Sequence, residues 1–162
     1  MLVRRFAAVF AAVALVMGTT ACSLGATVSS LQPYSPSDGQ QVTLEAIKAR
    51  NFIYLVADSG NGYLIGSIVN SSVNPGVVKL QYENPESKEK TEFFFDIEAG
   101  AKLDFGYNGS PAIQVPVVER PGQTAQFYVL ESDTSSGSMR VPVLDGTLSE
   151  YRMLLEQLEA AN

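Results

Sequence analysis

The chain has 162 residues, the size of one ordinary domain, with 46% hydrophobic, 9% aromatic and 17% charged side chains and a formal charge of −6. It has no histidine, no tryptophan and one cysteine, which excludes histidine-centred triads, histidine-rich metal sites, disulfide frameworks and cysteine-based zinc clusters. The acidic balance makes nucleic acid and anionic lipid poor partners.

The amino terminus reads as an export signal. Arg4 and Arg5 form a basic start, and Phe6 to Met17 is an apolar run of twelve residues, short of the roughly 20 that span a bilayer. The run ends in Gly18-Thr19-Thr20-Ala21-Cys22, small residues placed before the only cysteine. This resembles a bacterial lipobox, with Thr19 where Leu is commonest. It predicts a signal peptide over 1–21 and lipidation of Cys22, whose thioether-linked diacylglycerol would hold the protein on the extracytoplasmic face of the cell membrane. Once Arg4 and Arg5 are removed, nine basic side chains remain against 17 acidic ones. Residues 22–41 then read as the lipidated cysteine and a flexible linker, because Ser, Pro, Gly, Thr and Gln replace any apolar period. The nineteen residues from Ser23 to Gln41 would reach about 25 Å as a flexible chain.

From 42 to 162 the pattern is that of short strands closed by a helix. Candidate strands cover Val42 to Lys48, Phe52 to Ala57, Tyr63 to Asn70, Val77 to Tyr82, Glu92 to Ile97, Lys102 to Tyr107, Ile113 to Val118, Thr124 to Glu131 and Met139 to Leu144. Alternation assigns faces: Val78, Leu80 and Tyr82 point inward, as do Phe93, Phe95 and Ile97, and Leu103, Phe105 and Tyr107. Glu92, Phe94 and Asp96 take the opposite side. Asp58-Ser-Gly-Asn-Gly62 marks a hairpin, with Asn61-Gly62 supplying the positive φ angles of a tight turn. Pro116 and Pro142 lie inside candidate strands, so those two are expected at edges or bulges. The spacing gives an all-β sandwich of about 7–9 strands and leaves no room for βαβ crossovers.

Thr147-Leu-Ser-Glu150 has the spacing of a capping box, and Leu148, Tyr151, Leu154, Leu155 and Leu158 follow on one helical stripe. This predicts a C-terminal amphipathic helix. It would either pack across an end or face of the sandwich or present its stripe to a partner.

Catalytic patterns are thin. Ser87-Lys-Glu-Lys90 matches S-x-x-K by letter but lies in a polar turn without its companion motifs. Asp58 and Asn61 lack the order of a calcium loop. Asp96 and Glu98 share a strand face and read as solubilising acids. Asn70-Ser-Ser and Asn108-Gly-Ser are glycosylation sequons by letter only. No catalytic residue, metal ligand or cofactor is assigned, and the chain reads as non-enzymatic. Phe94, set among acids by alternation, is the candidate partner-binding anchor unless the terminal helix covers it.

The lipobox, the linker segment Tyr34-Ser-Pro-Ser-Asp-Gly39, the stretch Gly62-Tyr-Leu-Ile-Gly-Ser-Ile-Val-Asn70 with Val77-Val-Lys-Leu80, and the ending Val141-Pro-Val-Leu-Asp-Gly-Thr-Leu148 resemble a group of small actinobacterial lipoproteins of unassigned function. Leu64 to Leu80 is also similar to a strand pair of immunoglobulin-like secreted modules, and the group is distantly similar to cupredoxin-like periplasmic copper chaperones. The resemblance implies an immunoglobulin-like or cupredoxin-like sandwich outside the membrane. Those chaperones hold copper(I) through histidines and methionines; here only Met139 and Met153 remain beyond the signal, so the copper residues carry over to no position. The leading expectation is a membrane-anchored binding or adaptor module with an envelope-protein or cell-wall partner. The alternatives are a copper-chaperone-like protein that has lost or altered its ligands, and an assembly factor for a membrane complex.

Overall fold

The computed structural model describes residues 3–7, 10, 37–132 and 134–161. The chain divides into two units, Met1–Tyr34 and Ser35–Asn162. In the first, residues 3–7 and 10 are helical, and Cys22, with the rest of the signal and most of the linker, lies outside the described residues. Among the described residues no helix is long and apolar enough to cross a membrane.

The second unit is mainly β. Its strands are β1 (Gln40–Thr43), β2 (Ile47–Val56), β3 (Gly62–Asn70), β4 (Gly76–Glu83), β5 (Lys90–Ile97), β6 (Lys102–Phe105), β7 (Ile113–Gln114), β8 (Thr124–Leu130) and β9 (Ser136–Leu144), followed by helix α1 (Ser149–Ala160). The nine strands form one hydrogen-bonded path, β5-β4-β8-β9-β2-β3-β6, with β1 on β2 and β7 on β3. All pairs are antiparallel except β2 with β9.

The path curls because its inward side chains converge. Val78, Leu80 and Tyr82 of β4 and Ala125, Phe127 and Val129 of β8 share one cluster with Phe52 and Tyr54 of β2 and Leu64 and Ile68 of β3. The Phe127 ring lies 6.3 Å from Tyr54, edge to face, and 5.3 Å from Tyr82, the spacing that aromatic quadrupoles favour. The two ends of the path meet through Phe95 of β5 and Phe105 of β6, whose ring centroids are 4.8 Å apart. The buried Asn70 amide pins the end of β5 to β3, donating to the carbonyls of Asn74 at 2.8 Å and Glu98 at 3.2 Å.

Several local expectations are corrected. The segments expected as Val42–Lys48 and Phe52–Ala57 are divided differently: a turn at Leu44–Ala46, closed by Leu44 N–H on the Ile47 carbonyl at 2.8 Å, ends β1 early. β2 then runs through both segments with a bulge between Arg50 and Ile53, where Asn51 adopts φ 52°. The extra residue reverses the faces, so Ile47 and Ala49 before it and Phe52 and Tyr54 after it all enter the same core. The strand expected over Ile113–Val118 shrinks to Ile113–Gln114, and Pro116 lies beyond it with its carbonyl accepting from Tyr54 OH at 2.8 Å. Pro142 is on neither an edge strand nor a bulge. β9 is interior to the path, pairing with β8 up to Pro142 and with β2 only from Val143, so the missing N–H falls at the change of partner, where no bond to β2 is required. In the β2–β3 hairpin the positive φ belongs to Gly60, at 86°, and not to Asn61-Gly62.

The helix is capped one residue later than expected. Leu148 is the N-cap and no side chain caps it, because Thr147 is drawn into a turn by Asp145 Oδ1, 2.9 Å from its N–H. Tyr151, Leu155 and Leu158 bury against Ile53, Leu55, Ala57, Tyr63 and Ile65 on the outer face of β2–β3. The Tyr151 hydroxyl donates to Asp38 at 2.7 Å, which brings residue 38, expected in the linker, into the folded unit. The helix therefore packs on the sheet.

Replacing Phe127 with Ala is expected to cost about 3–5 kcal/mol, since a fully enclosed ring is lost between two others. Urea unfolding checks this, with Phe94→Ala as a surface control within about 0.5 kcal/mol of wild type.

Candidate recognition face

β5, β4 and β8 lie side by side, and alternation turns one set of their side chains away from the core. The register sets these rows: Lys79 stands beside Phe94 on one side and Leu130 on the other, Gln81 between Glu92 and Tyr128, and Glu83 between Lys90 and Gln126. Phe94 is 62% exposed and Val77 52%. The terminal helix does not cover Phe94, because it packs on β2–β3.

Polar contacts fix the surroundings of that ring. Lys79 Nζ is 3.4 Å from Glu92 Oε1 and 5.8 Å from the centre of the Phe94 ring, and Gln81 Nε2 donates to Glu92. Lys90 Nζ lies 4.5 Å over the Tyr128 ring, while the Tyr128 hydroxyl donates to Glu83 Oε2 at 3.0 Å. That bond to a carboxylate raises the Tyr128 pKa. Exposed ion pairs of this kind add little stability, but they hold long side chains in place around an uncovered aromatic. The arrangement offers an apolar anchor with a rim of both charges, the composition of a recognition surface.

The other sequence candidates are scattered. Asp96 and Glu98 are exposed at the end of β5, and no cluster of potential metal ligands occurs among the described residues. Ser87 Oγ contacts Glu89, not Lys90. Asp58 to Gly60 form the hairpin turn.

Sequence reasoning missed a buried acid. Glu119 is only 6% exposed, and its Oε2 accepts from Tyr82 OH at 2.8 Å. It follows a segment expected to be strand, and nothing in the pattern Val117-Val118-Glu119 separates it from a surface acid. Burial, then the bond to Glu119, pushes the Tyr82 pKa well above the tyrosine range, and burial does the same for Tyr54. The pair holds the 115–123 loop beside a cleft of about 620 Å³ lined by Pro85, Glu86, Arg120 and Gln123. A second cleft, about 380 Å³, separates Phe93–Phe95 from Pro111–Gln114.

No protein-family profile matches the chain, and no curated protein matches it. Among solved structures it is similar to the apo PmoF2 PCuAC domain, at 10% identity and TM-score 0.48, over 67% of this chain and 98% of that one. It is also similar to the copper-bound PCuAC domain from PmoF2, at 12% identity and TM-score 0.45, over 65% of this chain and 98% of that one. Likenesses this distant transfer neither ligand nor activity.

Tyr82→Phe is expected to cost about 1–3 kcal/mol, because the buried Glu119 carboxylate loses its donor. Raised phenol pKa values also carry a sign: the unfolded chain loses those protons first, so stability holds up to about pH 10 and falls as pH rises above it. Alkaline difference spectra at successive pH values, recorded beside unfolding curves, check both.

Proposed function

We propose that this chain is a lipid-anchored, extracytoplasmic binding or adaptor module of the cell envelope, without catalysis of its own, and that its mainly β unit is a sandwich of immunoglobulin-like or cupredoxin-like kind. The observation that carries the reading is Phe94, a ring 62% exposed in the middle of a regular strand. A large aromatic held uncovered among ordered polar neighbours is what binding hot spots are made of. The short apolar run, the basic start and the small residues before Cys22 support the anchor. The partner is an envelope protein or a cell-wall component facing that surface.

The test is photo-crosslinking in living cells with a photoreactive phenylalanine at position 94, and at Glu156 on the exposed side of α1 as control. Discrete adducts to an envelope protein or cell-wall component at 94 and none at 156 are expected, and adducts at 94 with a second copy of the chain alone would count against the reading. Mass spectrometry should find a diacylated fragment at Cys22, with the lipid mass lost in Cys22→Ser. Equal adducts at both positions, an unmodified Cys22 thiol in the mature protein, or stoichiometric copper on the purified chain would overturn the reading.

A further inference from the structure

β5 is a long, regular edge. Among the described residues it pairs only with β4, in unbroken register from Gly76↔Ile97 to Glu83↔Lys90. Every second residue of such a strand turns its N–H and C=O away from its partner, so β5 offers a row of free donors and acceptors. Edge strands are usually blunted by brevity, a bulge, a proline, an inward-pointing charge or charged side chains along the edge, and of these β5 carries only the last. β5 is eight residues long with no proline, its register with β4 has no shift, and its charges Lys90, Glu92 and Asp96 all sit on the outer face opposite Phe93, Phe95 and Ile97. A cleft of about 380 Å³ lies between Phe93–Phe95 and Pro111–Gln114, and among the described residues no strand pairs with β5 on that side.

The charge order along β5 says what fits it. Lys90 stands near one end and Asp96 near the other, so an antiparallel second copy presents opposite charges at both ends. For the outer faces of the two sheets to coincide, opposed residues must share a face, and the two-fold axis must pass through a residue. Two registers give the greatest overlap within the strand. An axis at Phe94 opposes Glu92 with Asp96 twice, placing like charges together. An axis at Phe93 opposes Lys90 with Asp96 twice, Glu92 with Phe94 twice, and Phe93 with its own copy.

We infer that two copies of this chain associate edge to edge through β5, antiparallel about Phe93, with two Lys90–Asp96 pairs closing the interface. The two sheets become one across the axis. Lys90 gives up its exposed contact over Tyr128 to make the pair. Both Phe94 rings stay on the outer face, so the association enlarges that face and does not depend on any partner binding there.

The test is the mass of the full chain in detergent micelles by light scattering over a range of concentrations, for wild type, Lys90→Glu, Asp96→Lys and the double charge swap. Both substituted side chains are exposed, so folding is retained, and circular dichroism checks it. Wild type is expected to dimerise, each single change to weaken the dimer by about tenfold or more as like charges come opposite twice, and the double swap to restore it. A wild type that stays monomeric would overturn the inference and leave the edge to a strand from another protein. Single changes without effect would overturn it too, as would a double swap no better than either single change.

Discussion

The structure depends on a closure made without a strand ladder. A hydrogen-bonded path of strands has two ends, and here the ends, β5 and β6, are joined by the 98–101 turn, by the Asn70 amide on the Glu98 carbonyl and by the Phe95–Phe105 contact at 4.8 Å, and not by a ladder. A barrel that closed with backbone bonds would have no edge. Closure without a ladder buries the core and still leaves the backbone of β5 without a second partner strand among the described residues. The exposed ring at Phe94, the cleft beside it and the unpaired edge all follow from that one arrangement.

What brings the ends together is the curl enforced in the middle of the path. β9 hands over from β8 to β2 at Pro142, and the Phe127 ring beyond that corner meets Tyr54 and Tyr82 from opposite parts of the sheet. The bulge in β2 matters as much. Without the extra residue at Asn51, the faces of β2 would not switch, and either Ile47 and Ala49 or Phe52 and Tyr54 would point away from the core. The helix then covers the outer face of β2–β3, so the outer face of β4, β5 and β8 is the one left for other contacts.

Much of this was legible where one face meets water. Period-2 alternation placed Phe93 and Phe95 toward the core and Phe94 outward, and helical spacing found Tyr151, Leu154, Leu155 and Leu158 as the packed stripe, whereas Leu148, expected on the same stripe, is the exposed N-cap. The rest was decided by distant partners. A bulge reverses alternation and so imitates a break between two strands. Pro142 reads as an edge signal unless the change of partner is known. The Thr147 cap lost to a local turn set by Asp145, and buried Glu119 depends on Tyr82, far away in the chain. On the face itself, alternation found Phe94, but the ordered rim of Lys79, Gln81 and Glu92 required the register of β4 against β5.

Amide hydrogen exchange, followed residue by residue at a dilution where the chain is a single copy, tests the ladder-free closure most directly. Alternate amides of β5 should exchange quickly, while the amides between them, bonded to β4, are as protected as those of β4 and β8. Uniform strong protection along all of β5 would mean that its outer edge is hydrogen-bonded within the chain, and would contradict a sheet whose two ends meet without a ladder.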